Sequence, residues 1–146
     1  MLVLMCDAGS SRFTIAIGDV VEVVARPRLD AMPGTPDWVA GLFVYRGRVT
    51  PVIDLGLLTG LTAARPLWSG RIVVVRCPEA PEDQLVGLLV DRAVAEQQER
   101  REDQPAPSRV SRWGGILIDE HGMFCRLELA ALLTADRQAV LFPAPA

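Results

Sequence analysis

Few side chains in this sequence have the type and spacing that covalent chemistry needs. The single histidine, His121, stands between Glu120 and Gly122 in a stretch that reads as a surface turn. A catalytic base needs a nucleophile brought to it, and no Ser or Cys motif supplies one. Ser10-Ser11 lies among turn formers, without a nucleophile-elbow pattern. Cys6, Cys77 and Cys125 are far apart, odd in number, and each follows an apolar run. They read as buried free thiols, not as a disulfide framework or a zinc set. Such thiols imply a reducing compartment, the cytoplasm. No Gly-rich phosphate loop or dinucleotide fingerprint occurs, and Gly114-Gly115 opens a strand instead. Carboxylates gather at 79–83 and 99–103 in turns and loops, where water solvates them. The expectation is no catalytic residue, no metal and no cofactor, hence not an enzyme.

Recognition is a different matter. Arg46 and Arg48 stand either side of Gly47, between two apolar runs. A guanidinium there is either a solvated hairpin tip or the donor of charge-assisted hydrogen bonds, within the chain or across to a partner. Glu22 interrupts the β-branched run Val20–Val24. It is either the solvent-facing member of an edge strand or a polar contact on a partner-binding face.

The elements that must position these groups centre on residues 38–55. Val39–Tyr45 is β-branched and aromatic, and Val49–Leu55 is its return strand. Gly47 takes φ > 0 at low cost, so the turn between them is tight. Pro51 lacks a donor, which predicts an edge strand or a bulge near it. Asp54 ends the strand and Leu55–Leu58 forms a helical turn. Upstream, Leu2–Cys6 and Arg12–Ile17 form a hairpin across Asp7–Ser11. Arg26–Pro36 is a proline-broken loop pinned by Leu29 and Met32, and Pro36–Val39 forms one helical turn over Trp38. Downstream, strands are expected at Ile72–Val75, Leu85–Val90 (with a bulge or close approach at Gly87), Trp113–Ile118 and Met123–Leu127. Leu127–Leu133 reads as a short amphipathic helix, residues 97–111 as a mobile surface loop, and 136–146 as a fraying tail. Short, regularly spaced strands predict an all-β sandwich or barrel pair.

At 146 residues, half of them hydrophobic, the chain is one domain with a real core. Its net charge of −3 argues against a nucleic-acid surface. All its positive side chains are Arg. No run approaches the ~20 apolar residues of a membrane span, so no direct membrane insertion is expected.

Gly41-Leu-Phe-Val-Tyr-Arg46-Gly47, followed by Val49-Thr-Pro-Val-Ile-Asp-Leu55, resembles the signature of CheW-like domains. That family shows a Gly, an apolar strand, Arg-Gly, then Pro-Val-x-Asp-Leu. The likeness extends over residues 2–133, and the domain over 1–135. It implies two small five-stranded SH3-like β-barrels packed together, with short helices at connections and at the C-terminus. It also implies an adaptor of chemosensory signalling, cytoplasmic and recruited to membrane-associated receptor arrays. The implied partners are a chemoreceptor tip, the regulatory domain of a CheA-type histidine kinase, and other CheW-like domains. By the motif, Arg46 is important for assembling the receptor–kinase complex, and Glu22 lies at the receptor-facing surface. Val20, Glu22, Gly41, Tyr45, Arg46 and Gly47 are the candidate contacts, with a second face around 85–94. The chain departs at Val44-Tyr45, where Asn-Leu is commoner, and in this resembles adaptors of surface-sensing or other specialised systems. Two alternatives stand beside this: a stand-alone module regulating a kinase without a receptor, and a small ligand-binding β-barrel.

Overall fold

The hydrophobic alternation and turn residues build two antiparallel-rich sheets in the computed structural model, which describes residues 1–60, 62–65, 68–81 and 84–144. The strands are β1 (Leu2–Ala8), β2 (Ser11–Ala16), β3 (Val20–Ala25), β4 (Val39–Tyr45), β5 (Arg48–Asp54), β6 (Arg71–Arg76), β7 (Leu85–Val90), β8 (Arg92–Gln97), β9 (Arg109–Ser111), β10 (Gly114–Asp119) and β11 (Gly122–Leu127). Short helices α1 (Leu55–Gly60), α2 (Leu129–Leu132) and α3 (Ala135–Leu141) complete the fold.

One sheet has the order β8-β1-β2-β11-β10-β9, the other β3-β6-β7-β5-β4. The first two strands therefore join a sheet otherwise made from residues 92–127. Each sheet contains one parallel pair, β2 with β11 and β5 with β7. The five-stranded sheet curls about its own interior, where Phe43, Tyr45, Val52, Ile72, Val74 and Leu89 form one buried cluster. Its two edge strands both reach that cluster, through Val21 and Val24 of β3 and Ala40 of β4. Register shifts at Val20/Glu22 and Val39/Gly41 put an irregularity in each edge, which strengthens the bend.

The opposite face of the same strands meets the other sheet. Ile53, Val73, Val75, Val86, Leu88 and Val90 pack with Leu4, Cys6, Phe13, Ile15, Leu127 and Leu132 in a shared core. So β6 and β7 are buried on both faces, which is why they read as unbroken apolar runs. Gly87 makes a close approach without a bulge: a Cβ there would stand 2.6 Å from Ile72 Cγ2.

Pro51 meets one of its two expectations: a register shift lies beside it, where β4 slips between Val39 and Gly41 opposite Ile53 and Val52, but its strand is not an edge. It lies in β5, which is central, between β7 and β4. Its partner across β4 is Leu42, whose N–H and C=O face outward to Asp30. The missing Pro51 N–H therefore points toward β7, where the parallel ladder starts only at Val52. No ladder bond is lost, so the usual exclusion of proline does not apply.

Other expectations shift as well. Pro36–Val39 is a turn closed by Val39 N–H donating to Pro36 O, not a helix. The stretch 97–111 carries a 3-10 turn at Arg101–Asp103 and the strand β9, making its sheet six-stranded where five were expected. It is tied down by Arg126 Nη1 donating to Gln104 Oε1 at 2.8 Å. The segment 136–146, read as a tail, begins inside α3. Thr134 caps that helix, and Leu141 is buried in the shared core. The acidic turn at 78–83 lies partly outside the described residues.

Two buried carboxylates fix the crossing segments. Asp54 accepts from Leu57 N–H at the start of α1 and from Ala64 N–H. Asp91, at the corner where the chain passes from one sheet to the other, accepts from Gly9 N–H and Arg65 N–H at 3.0 Å each. Asp91→Ala is expected to cost about 2–4 kcal/mol by stranding both donors, read as a lower urea midpoint at unchanged m-value. Gly87→Ala is expected to cost about 1–3 kcal/mol by overpacking against Ile72, checked by thermal melting.

Candidate partner-binding site

The β4–β5 turn puts Arg46 and Gly47 at its two central positions, both with positive φ, +51° and +78°. This is the primed hairpin geometry that matches strand twist. Glycine meets it freely, whereas Arg46 holds a left-handed conformation that L side chains rarely adopt. The turn therefore aims the Arg46 side chain back over the sheet edge instead of along the strand.

There it meets two other predicted residues. Tyr45 Oη donates to Glu22 Oε1 at 2.5 Å, and Arg46 Nη2 donates to the same oxygen at 3.1 Å. The Arg46 guanidinium also lies 5.0 Å from the Tyr45 ring centroid, within cation–π range. Glu22 stands on β3 and Tyr45 on β4, the two edges of the curled sheet. A side-chain hydrogen bond thus bridges those edges. The edge irregularity at Val20/Glu22 serves this arrangement, with Val20 packed on the shared core, Val21 on the barrel interior, and Glu22 exposed.

The Arg46–Glu22 pair is open to water, with side chains 66% and 43% exposed. Arg46 is therefore not a buried brace, and an ion pair of this kind is worth about 0–1 kcal/mol alone. Tyr45 is different, because the residue is buried while its hydroxyl and one ring face meet Glu22 and Arg46. Burial and the Glu22 carboxylate push the phenol above its ordinary value, while the Arg46 charge pulls it down.

The remaining predicted contacts divide. Gly47 is exposed at the turn. Val20 is half-buried beside the short 3-10 turn Ile17–Asp19 that leads from one sheet to the other. Gly41 does not join the exposed cluster. It is buried with φ +143°, and a Cβ would fall 2.5 Å from Asp30 O. Its role is to let the loop at Asp30 pair with Leu42. The second face proposed around 85–94 is also corrected in part: Val86–Val90 are buried on both sides, leaving only Arg92 and Val94 of β8 exposed.

Sequence reasoning missed that Glu22, Tyr45 and Arg46 form one unit. The spacing of 22 and 45 holds no signal, since the two strands meet only when the sheet curls. It missed, too, an exposed apolar pair beside the turn, Val44 and Val49, which face each other across β4 and β5 at 70% and 68% exposure.

No arrangement for covalent catalysis emerges among the described residues. His121 is exposed and 3.5 Å from Glu120. Burial pushes the Cys6 thiol up to about 12 and Cys77 to about 11, which keeps both as unreactive thiols. No group of three or more His, Cys, Asp or Glu able to hold a metal is found among the described residues. A 610 Å³ cavity borders the six-stranded sheet; of its acidic lining residues Glu99 and Glu120 are exposed, and Glu96 and Asp119 half-buried. No helix among the described residues is long and apolar enough to cross a membrane.

Two sheets sharing a core, one of them curled about its own interior, with an exposed polar cluster at a hairpin tip, define a two-sheet β-protein. The comparisons make this specific: the chain belongs to the CheW-like domain family, whose profile matches residues 2–137. It is 30% identical over 137 residues to the chemotaxis protein CheW of Rhizobium meliloti, covering 89% of this chain and 85% of that one. It is 33% identical over 104 residues to the chemotaxis protein CheW of Helicobacter pylori, covering 70% of this chain and 61% of that one. In fold it is similar to the scaffolding protein TtCheW of Thermoanaerobacter tengcongensis, with a TM-score of 0.77 at 23% identity, over 93% of this chain and 89% of that one. The fold is thus the pair of SH3-like barrels that the signature implied.

Tyr45 is the single tyrosine of the chain, so its titration is directly visible in the ultraviolet. It is expected above the ordinary 10.0. Glu22→Gln should bring it down, and Arg46→Gln should raise it. Since the folded value is the higher one, stability from this hydroxyl is present below the unfolded value and lost as pH rises through the folded one. Melting temperatures of wild type and Tyr45→Phe should converge across that alkaline range.

Proposed function

We propose that this chain is a non-enzymatic cytoplasmic adaptor coupling the tip of a chemoreceptor to the regulatory domain of a CheA-type histidine kinase. The observation that carries this reading is the family match over residues 2–137, with Arg46-Gly47 exposed at the β4–β5 turn. The curated relatives bear the name chemotaxis protein CheW, and the structural neighbour is titled a scaffolding protein.

The mechanism is geometric. The receptor tip, a helical hairpin, lies in an apolar groove at the seam of the barrels beside Val20 and Glu22, in the helix-in-groove mode. The kinase's homologous domain docks on a separate barrel face, and other CheW-like domains share such faces. Holding receptor and kinase together raises their effective concentration, and receptor conformation then biases the kinase population. Array recruitment to the membrane follows from the receptor, not from this chain.

Losing a charged contact at the centre of such an interface costs about 2–5 kcal/mol, enough to abolish a micromolar interaction. Autophosphorylation of the cognate kinase, reconstituted with a receptor fragment, is expected to change on adding this protein. Arg46→Glu should remove that change while the circular dichroism stays native. A kinase response that needs no receptor would identify a stand-alone regulatory module instead, and turnover of a small molecule by the isolated protein would identify an enzyme.

A further inference from the structure

Tyr45 stands inside the signature, directly before Arg46-Gly47. A leucine there could fill the barrel interior but has no hydroxyl to extend to β3. Tyr45 does three things at once. Its ring packs in the interior, with the Phe43 ring centroid 6.0 Å away. Its hydroxyl donates to Glu22 Oε1, and its face carries the Arg46 guanidinium.

Without that hydroxyl, Glu22 and Arg46 are two long exposed side chains, whose pairing competes with rotamer entropy and water. With it, one carboxylate oxygen is held by two donors and the guanidinium lies between a carboxylate and a ring face. Glu22 Oε2 keeps its acceptor capacity among the described residues, and the Arg46 fork keeps donors to spare.

We propose that Tyr45 is a positioning and specificity-determining residue, locking Glu22 and Arg46 into one electrically neutral donor–acceptor unit that presents itself to the partner. This rests on the reading of the hairpin tip as a partner contact. A bare carboxylate approaching the spare donors of Arg46 meets the like charge of Glu22 already in place beside them. A neutral group with both a donor and an acceptor, such as a peptide unit or a carboxamide, joins Oε2 and a spare guanidinium N–H while leaving the pair intact. The partner chemistry selected is therefore a neutral amide.

The test uses the full chain with two probes, a receptor hairpin-tip fragment and a kinase regulatory-domain fragment from the same organism, titrated calorimetrically. Arg46→Glu comes first. Loss of affinity for one fragment identifies it as the probe; full affinity for both overturns the site reading and this inference with it. With that probe, Tyr45→Phe is expected to bind about tenfold more weakly with native circular dichroism, the size of one lost hydrogen bond to a charged group. In a Glu22→Ala background it is expected to have no further effect, because the hydroxyl acts through that carboxylate. The isotope-labelled ring signal of the single tyrosine should also move when the fragment is added. Wild-type affinity of Tyr45→Phe, or an equal penalty in the Glu22→Ala background, overturns the role of the hydroxyl while the Arg46 result stands.

Discussion

The structure depends on a core that belongs to neither barrel. Ile53, Val73, Val75, Val86 and Leu88 from one sheet interdigitate with Leu4, Cys6, Phe13, Ile15 and Leu127 from the other, and α2 and α3 close the end with Leu132 and Leu141. Burial of each such side chain is worth about 1.5–3 kcal/mol. The same strands bury their opposite faces inside one barrel, so displacement of β6 or β7 would open two interiors at once. This double burial ties the two sheets together through β6 and β7, and β5, paired with β7, carries the β4–β5 hairpin on them.

Much of this was legible in the sequence because strand signals are local. Gly47 marked the hairpin turn, Val20–Val24 the strand with an outward Glu22, and Ile72–Val75 a buried run. The signature around Gly41–Leu55 carried the family and the two-barrel form. Illegible were the features that depend on distant pairing. Pro51 reads as an edge residue because the outward pairing of Leu42 with Asp30, which makes it harmless, involves a residue 21 positions upstream (51 − 30). The C-terminal turn of α3 gives a weak signal, since one leucine in seven residues faces the core. Gly41 looked like part of a binding motif, yet its lack of a side chain serves the Asp30 loop.

The partner-binding site shows the same division. Arg46 and Glu22 were singled out by residue type, because charge within apolar runs needs an explanation. Their mutual contact follows from two strands curling until edges that never exchange ladder bonds come within side-chain reach. The edge irregularities in β3 and β4 are what this curl requires. A tyrosine at 45 is long enough to cross the remaining gap from inside, where a leucine would stop at the interior. The exposed Val44–Val49 pair beside it adds apolar surface that the polar cluster can orient but not replace.

The topology also imposes an order on biosynthesis. Residues 20–90 contain every strand of the five-stranded sheet, so that sheet is complete as soon as β7 leaves the ribosome. The β1–β2 hairpin is made before that sheet, yet both its outer edges pair with strands made after it, β8 on one side and β11 on the other. At roughly 5–20 residues per second, one edge of that hairpin waits for β8 and the other, longer, for β11. A hairpin made before the five-stranded sheet is therefore completed after it. The interval before β11 arrives is when a nascent copy is most exposed to pairing with its neighbours on a polysome.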